Sequence, residues 1–178
     1  MKLLRTIRDQ DLFPGEKSLD ESEYKLRQAA RIVVFDTENK VGLLHVTKDN
    51  YFKLPGGGID PGKDVQAALS RECQEELGCN VVVEKEIGLI IELRNQFKEK
   101  QESYCFQGRV VGEKGKPNFT QEEIEDGFKI LWVSLDEAIS LIEESQPVNY
   151  MGKYTKIRDL LFLNSCQNNI SNALKNKL

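Results

Sequence analysis

Short runs of β-branched and aromatic residues alternate with polar, turn-forming segments in the first part of the chain. Residues 29–35 form one such run, and a polar turn separates it from a second run at Val41–Val46. Two runs joined in this way predict a β-hairpin. A third run, residues 51–54, leads through Pro55 into three consecutive glycines at 56–58, where regular strand pairing is expected to end.

After residue 63 the apolar positions change from a period of two to a period of about 3.6, which predicts a helix. Asp64 precedes this segment and is a suitable N-cap, because its carboxylate can accept from the free N–H groups of the first turn. Gly78 provides the C-terminal stop. The predicted helix therefore runs from residue 64 to Leu77.

The second half of the chain contains further strands and helices of similar length. Gly88 interrupts one apolar run and indicates a β-bulge. The elements predicted in chain order are strands at 81–92 and 103–111, a polar loop at 112–126, a strand at Phe128–Val133, and helices at Leu135–Glu144 and 150–166.

This order of elements predicts an α/β (α+β) fold in which helices flank a mixed β-sheet, because helix and strand do not alternate strictly. With 178 residues and 20.3 kDa, one domain is expected. We place it at residues 24–166, preceded by a mixed, polar N-terminal extension at 1–23. A polar tail at 167–178 follows.

Composition excludes several classes of protein. The formal net charge of −4 argues against an extended nucleic-acid partner, which needs clustered positive charge. No run approaches the roughly 18 apolar residues of a membrane span, and charged residues interrupt the N-terminus, where a signal peptide would be apolar. The four cysteines form no C-x-x-C pair, so neither a disulfide framework nor a zinc site is expected. We predict a soluble, cytoplasmic protein.

Three carboxylates are expected on one face of the predicted helix. At 100° per residue, Glu72, Glu75 and Glu76 share an arc of about 100°. Like charges at this spacing destabilise a helix, and the C-terminal half of a helix disfavours acids. A divalent cation would remove both penalties, because Mg²⁺ and Mn²⁺ prefer hard oxygen ligands. The alternative is a solvated acidic face. The adjoining arc carries apolar side chains that can pack on the sheet: Leu69, Cys73 and Leu77.

These residues, together with the glycines before the helix, resemble the Nudix box of the MutT-like hydrolases. The box spans residues 57–79. The glycines, arginine and acids that match in register are Gly57, Arg71, Glu72, Glu75, Glu76 and Gly78. Cys73 and Cys79 stand at two aliphatic positions, and Lys63 stands where the family has its first Glu. The segments 54–57 and 132–138 also resemble the family's entry to the glycine loop and its exit from the last strand.

The resemblance implies a Nudix-like α/β/α sandwich and hydrolysis of a nucleoside diphosphate linked to another group, with Mg²⁺ or Mn²⁺ as the cofactor. Glu72 and Glu76 would be the main metal ligands, assisted by Glu75 and the Gly56 carbonyl, and Arg71 would orient the carboxylates. The general base would be Glu75, Glu76 or an acid of the 112–126 loop. The positions expected to contact substrate are Gly57, Gly58, Glu122 and Glu123.

The identity of the substrate stays open at this level. A nucleoside triphosphate, an oxidised nucleotide and a nucleotide sugar are all compatible with the pattern, as are a monomer and a homodimer. The alternative function is a Nudix-fold sensor that binds a nucleotide without hydrolysing it. Lys63 favours this alternative, because a lysine cannot accept a hydrogen bond from Arg71. The intact acidic triplet favours the enzyme.

Overall fold

The computed structural model describes residues 1–17, 19–60, 62 and 64–175, with only the backbone described at residue 174. Lys63, the position that departs from the Nudix box, lies outside the described residues. In chain order the strands and helices are β1 (Leu3–Arg8), α1 (Asp9–Leu12), β2 (Lys25–Phe35), β3 (Val41–Val46), β4 (Tyr51–Lys53), α2 (Val65–Leu77), β5 (Asn80–Arg94), β6 (Glu99–Val111), α3 (Gln121–Glu125), β7 (Phe128–Val133), α4 (Leu135–Glu144) and α5 (Tyr150–Lys175).

Within the described residues, seven strands form one mixed sheet in the order β1-β5-β6-β2-β3-β4, and β7 pairs with β3. The pairs β2–β6 and β1–β5 are parallel, whereas β5–β6, β3–β4 and β3–β7 are antiparallel. The predicted hairpin is confirmed, because β2 and β3 meet antiparallel at Phe35 and Val41. The register of β5 shifts between Glu86 and Gly88, which confirms the predicted bulge.

Helices cover both faces of the sheet, as the predicted α/β/α arrangement requires. Because successive side chains of a strand point to opposite faces, β2 contributes to two cores. The core under α2 consists of apolar residues that include Ala30, Ile32, Val34, Leu44, Leu69, Cys73 and Leu77. The core under α4 and α5 includes Val33, Leu43, Leu54, Ile90, Cys105, Ala138, Ile142 and Phe162.

The N-terminal extension adds a strand that the hydrophobic pattern does not indicate. β1 pairs in parallel with β5, from Leu3↔Leu89 to Arg8↔Leu93. Within β1 only Ile7 is buried, so the segment carries little apolar signal of its own. Gly88 makes room for β1, since a Cβ at this position would lie 2.5 Å from Leu4 Cγ.

Two other expectations were wrong in their bounds. The predicted loop at 112–126 contains the helix α3, whose N-cap Thr120 forms a capping box with Glu123. The C-terminal helix does not end at Cys166 but continues to Lys175. Ile170 packs against the core beneath this helix, so the first residues of the predicted tail are held by tertiary contacts.

Candidate active site

The position of α2 is determined by both of its ends and by its apolar face. The Asp64 carboxylate accepts from Ala67 N–H at 2.6 Å, and Gly78 ends the helix in the left-handed region with φ of +66°. The predicted apolar arc is buried against the sheet. This packing turns Glu72 and Glu76 toward the glycine loop and leaves Glu75, which the wheel places on the same face, farther out.

The glycine loop runs alongside β2. The carbonyls of Pro55 and Gly57 accept from Ile32 N–H at 3.1 Å and from Ala30 N–H at 2.9 Å. Gly56 lies between these two pairings, and its own N–H donates to Glu76 instead of to β2. It has φ of +130°, and a Cβ would lie 2.2 Å from the Ala30 carbonyl oxygen. Only glycine therefore fits at this position.

Glu76 is almost completely buried, with an exposed fraction of 1%. Its carboxylate accepts from Gly56 N–H through Oε2 at 2.8 Å. Lys53, at the end of β4, donates to Oε1 at 2.6 Å. The charge of this carboxylate is therefore balanced by a lysine that the sequence analysis did not single out.

Glu72 contacts the next glycine of the loop. A Cβ at Gly57 would lie 2.0 Å from Glu72 Oε1, so the absence of a side chain there lets the carboxylate reach the backbone. Burial raises the pKa of Glu72, the charge of Glu76 raises it further, and the nearby Arg71 opposes these effects. Arg71 Nη2 lies 2.7 Å from Glu72 Oε1.

Arg71 links three parts of the site. Besides Glu72, it contacts Glu75 Oε2 through Nη1 at 3.1 Å and donates to the Gly58 carbonyl through Nη2 at 3.3 Å. Glu75 is thus held on the outer side of Arg71, and its own carbonyl accepts from Asn118 N–H at 2.7 Å. The structure brings Glu72 and Glu76 to the loop but separates Glu75 from them by the guanidinium.

The two acids expected from the loop at 112–126 lie on α3. The Glu123 carboxylate accepts from the backbone N–H and the hydroxyl of Thr120, at 2.7 and 2.9 Å. It is therefore engaged in a helix cap. Among the described residues, no hydrogen bond or ion pair joins Glu122 or Glu123 to the three glutamates of α2.

The donor set fits a divalent cation by its chemistry, because Glu72 and Glu76 present hard carboxylate oxygens beside glycines 56 and 57, which carry no side chain that would cover them. In the described part of the chain, however, no group of three or more carboxylate, histidine or cysteine side chains converges in a way that could hold a metal ion. Each of the two carboxylates is paired with a basic side chain, Arg71 or Lys53, instead.

A second residue missed by the sequence analysis holds the entry to the loop. Leu54 N–H donates to Asp159 Oδ2 at 2.8 Å, and Asp159 is paired on α5 with Arg158, whose Nε lies 2.7 Å from Asp159 Oδ1. The sequence signal available for Asp159 was that it and Arg158 are charged residues among the apolar positions of the predicted C-terminal helix. For Lys53 the only signal was its position directly before the Leu-Pro-Gly-Gly segment.

Residues 25–151 match the NUDIX domain, and the chain belongs to the Nudix hydrolase family. Members of this family typically use divalent metals. The chain is 30% identical over 107 residues to the "Putative 8-oxo-dGTP diphosphatase" of Bacillus subtilis (strain 168), covering 60% of this chain and 66% of that protein. It is 31% identical over 102 residues to the "RNA pyrophosphohydrolase" of Wolbachia pipientis subsp. Culex pipiens (strain wPip), covering 53% and 57%. The matches thus span less than two thirds of both relatives.

Solved structures share the fold at low identity. The MutT protein from Methanosarcina mazei Go1 superposes with a TM-score of 0.56 at 18% identity, covering 83% of this chain and 97% of that chain. The mixed sheet flanked by helices is therefore a Nudix fold. No helix in the described residues combines the length and the apolar character needed to cross a bilayer.

Proposed function

We propose that this protein is a metal-dependent pyrophosphohydrolase that cleaves a nucleoside diphosphate linked to another group, by attack of water on phosphorus. The observation that carries the proposal is the placement of two buried carboxylates, Glu72 and Glu76, against adjacent glycines of one loop. Buried acids beside an open backbone edge suit the binding of a cation and a diphosphate better than they suit stability.

The residues of the site have separate tasks in this proposal. Glu72 and Glu76 would hold Mg²⁺ or Mn²⁺, which supplies charge neutralisation of the diphosphate and activation of water. Gly56 N–H orients the Glu76 carboxylate, and Arg71 orients that of Glu72. The Gly56 carbonyl is proposed as a further oxygen ligand.

The general base is proposed among the glutamates of α2 rather than on α3. The Glu123 carboxylate already accepts two hydrogen bonds from Thr120 in the cap of its own helix, which favours the acids of α2 over it. Glu75 remains, as the most exposed of the three acids of α2.

The proposed substrate is a small nucleotide with a phosphoanhydride bond. The names of the two relatives refer to a nucleoside triphosphate and to RNA, and the net charge of −4 favours the smaller ligand. Nucleoside triphosphates, including oxidised ones, are the first compounds to test, followed by nucleotide sugars. Glu122, Gly57 and Gly58 stay proposed contacts of the substrate.

The test is hydrolysis of a panel of nucleotides by purified protein with Mg²⁺, measured as release of phosphate or pyrophosphate. Glu76→Gln should lower kcat/KM at least about 100-fold, as expected for loss of a metal ligand. Glu144→Gln, which changes an exposed glutamate at the end of α4, serves as the matched control. Hydrolysis that survives Glu76→Gln contradicts the proposal. Saturable binding without turnover by the unaltered protein would instead favour the sensor.

A further inference from the structure

The Glu76 carboxylate receives two donors of different kinds. Gly56 N–H belongs to a loop that pairs with β2 and cannot move without breaking that pairing. The ammonium of Lys53 stands at the end of a flexible side chain that is 15% exposed. One oxygen of the carboxylate is therefore held by the backbone, whereas the other is held by a group that can leave.

Lys53 also has a second partner within reach. Its Nζ lies 5.1 Å from the centroid of the ring of Phe128, the first residue of β7, which pairs with β3 as β4 does. The face of an aromatic ring attracts an ammonium, and the four-carbon stem of lysine allows its charge to move by rotation of single bonds. The Lys53 ammonium is thus stabilised by the Phe128 ring as well as by Glu76.

A buried carboxylate needs a counter-ion, because an unpaired charge away from water is strongly unfavourable. Lys53 Nζ satisfies this need at Oε1. A divalent cation that binds the same oxygen would meet a positive charge already in place. The two cations cannot both be bound to this oxygen without strong repulsion.

We propose that Lys53 is the resident counter-ion of Glu76 and that it exchanges with the divalent cation of the site. Lys53 neutralises the buried carboxylate when the site lacks a cation, and its ammonium leaves Oε1 when a cation binds. This inference rests on the proposed function in one respect, which is the assignment of Glu76 as a metal ligand. It adds that this chain keeps its cation affinity low by means of its own lysine.

The experiment is calorimetric titration of Mn²⁺ into the full-length protein without any nucleotide. Lys53→Met, which keeps most of the side-chain volume and removes the charge, should lower the Kd for Mn²⁺ at least about tenfold, because the competing cation is gone. The control is Lys48→Met, which removes an exposed lysine whose Nζ lies 2.7 Å from Asp126; its Kd should equal that of the unaltered protein. A purely structural salt bridge predicts the opposite sign, since loss of Lys53 would loosen the site.

A second measurement keeps the test decisive if Lys53→Met fails to fold. In the unaltered protein with ¹³C-labelled lysine, the Cε resonance of Lys53, assigned through Lys53→Arg, should shift on titration with Mg²⁺, whereas that of Lys48 should not. A Kd in Lys53→Met that is unchanged or weaker overturns the inference, as does a Lys53 resonance that ignores saturating Mg²⁺.

Failure of the inference can be told apart from failure of the proposed function, because no nucleotide is present in either experiment. Cation binding that tightens in Lys53→Met supports the exchange even if no nucleotide is hydrolysed. Absence of saturable Mn²⁺ binding in the unaltered protein and in the variant overturns the exchange, whatever the outcome of the nucleotide panel.

Discussion

The two faces of the sheet both contain buried acids, but they balance them differently. Under α5, Glu92 is fully buried and contacts Arg94 Nη2 at 2.8 Å and Arg158 Nη1 at 3.6 Å. Both arginines are as buried as the acid. Ser103 and Gln101 donate to the same carboxylate, at 2.9 and 2.7 Å. We call this a closed cluster, because all of these partners are themselves buried and none can move into solvent.

At the edge of α2 the acids are buried but their cations are not. Arg71 has a side chain that is 43% exposed, and Lys53 is partly exposed. Glu72 and Glu76 are therefore paired with groups that can move into solvent or onto a ligand. The comparison teaches that burial of an acid does not distinguish a structural charge from a functional one. The exposed fraction of its basic partner distinguishes the two.

The largest effect is expected from Glu92→Gln. Removing one charge from this buried cluster leaves Arg158 with Asp159 and Arg94 with Glu99 as their remaining acidic partners, and breaking buried ion pairs in this way costs about 3–5 kcal/mol of the free energy of unfolding. Chemical denaturation at neutral pH measures this loss. The control is Glu84→Gln, because Glu84 forms an ion pair of 3.2 Å with Arg109 on the partly exposed part of the sheet. A loss for Glu92→Gln no larger than that of the control would contradict the distinction between the two faces.

The same cluster predicts a pH dependence. Burial by itself would raise the pKa of Glu92, but Arg158 and Arg94 lower it to about 2 from the ordinary value of 4.5. Because the folded pKa is the lower one, the ionised carboxylate stabilises the fold above about pH 4.5, and this contribution is lost as the pH falls toward 2. The unaltered protein should lose stability over this window more steeply than Glu92→Gln. Parallel curves would show that Glu92 is not the group responsible.

A smaller effect, and a contrast within one loop, is expected from two glycine variants. Gly56→Ala places a Cβ against the Ala30 carbonyl at a positive φ, so the backbone must shift, at a cost of about 3 kcal/mol. Gly57→Ala meets only the end of the Glu72 side chain, which can rotate away at about 1 kcal/mol. Gly57→Ala should therefore fold but lose affinity for Mn²⁺, as measured by calorimetry. Retained affinity would argue against Glu72 as a ligand.

The elements that could be predicted from sequence are those with local signals at both ends. Asp64 and Gly78 bracket α2, and the structure has the helix between them. β1 could not be predicted, because its pairing depends on the space that Gly88 leaves on a distant strand. The C-terminal part of α5 is polar and is held by Ile170, a contact that no local pattern reveals.

In the candidate site, too, the features with a local sequence signal could be predicted and those that depend on tertiary contacts could not. The helical wheel correctly places Glu72, Glu75 and Glu76 on one side of α2. It cannot show that Arg71 stands between Glu75 and the other two, because this depends on a side chain reaching the Gly58 carbonyl. The pairing of Lys53 with Glu76 joins β4 to α2, and the residue spacing within either element does not predict it.

The smallest effect is expected at Lys63, where the Nudix box has a glutamate. In the family that acid helps to hold the arginine of the box, which is Arg71 in this chain. By the family's pattern, Lys63→Glu restores the acid that serves Arg71, whose guanidinium contacts Glu72, Glu75 and the Gly58 carbonyl in this chain. Residues that support metal ligands typically change metal affinity or activity by roughly 10- to 100-fold when they are mutated. In this chain Arg71 already has three acceptors, so we expect only a severalfold rise in kcat/KM. Lys85→Glu makes the same change of charge at an exposed position of β5 and should leave the rate as it is. Equal rates in Lys63→Glu and the unaltered protein would mean that the contacts within α2 and the loop orient Arg71 without help from position 63.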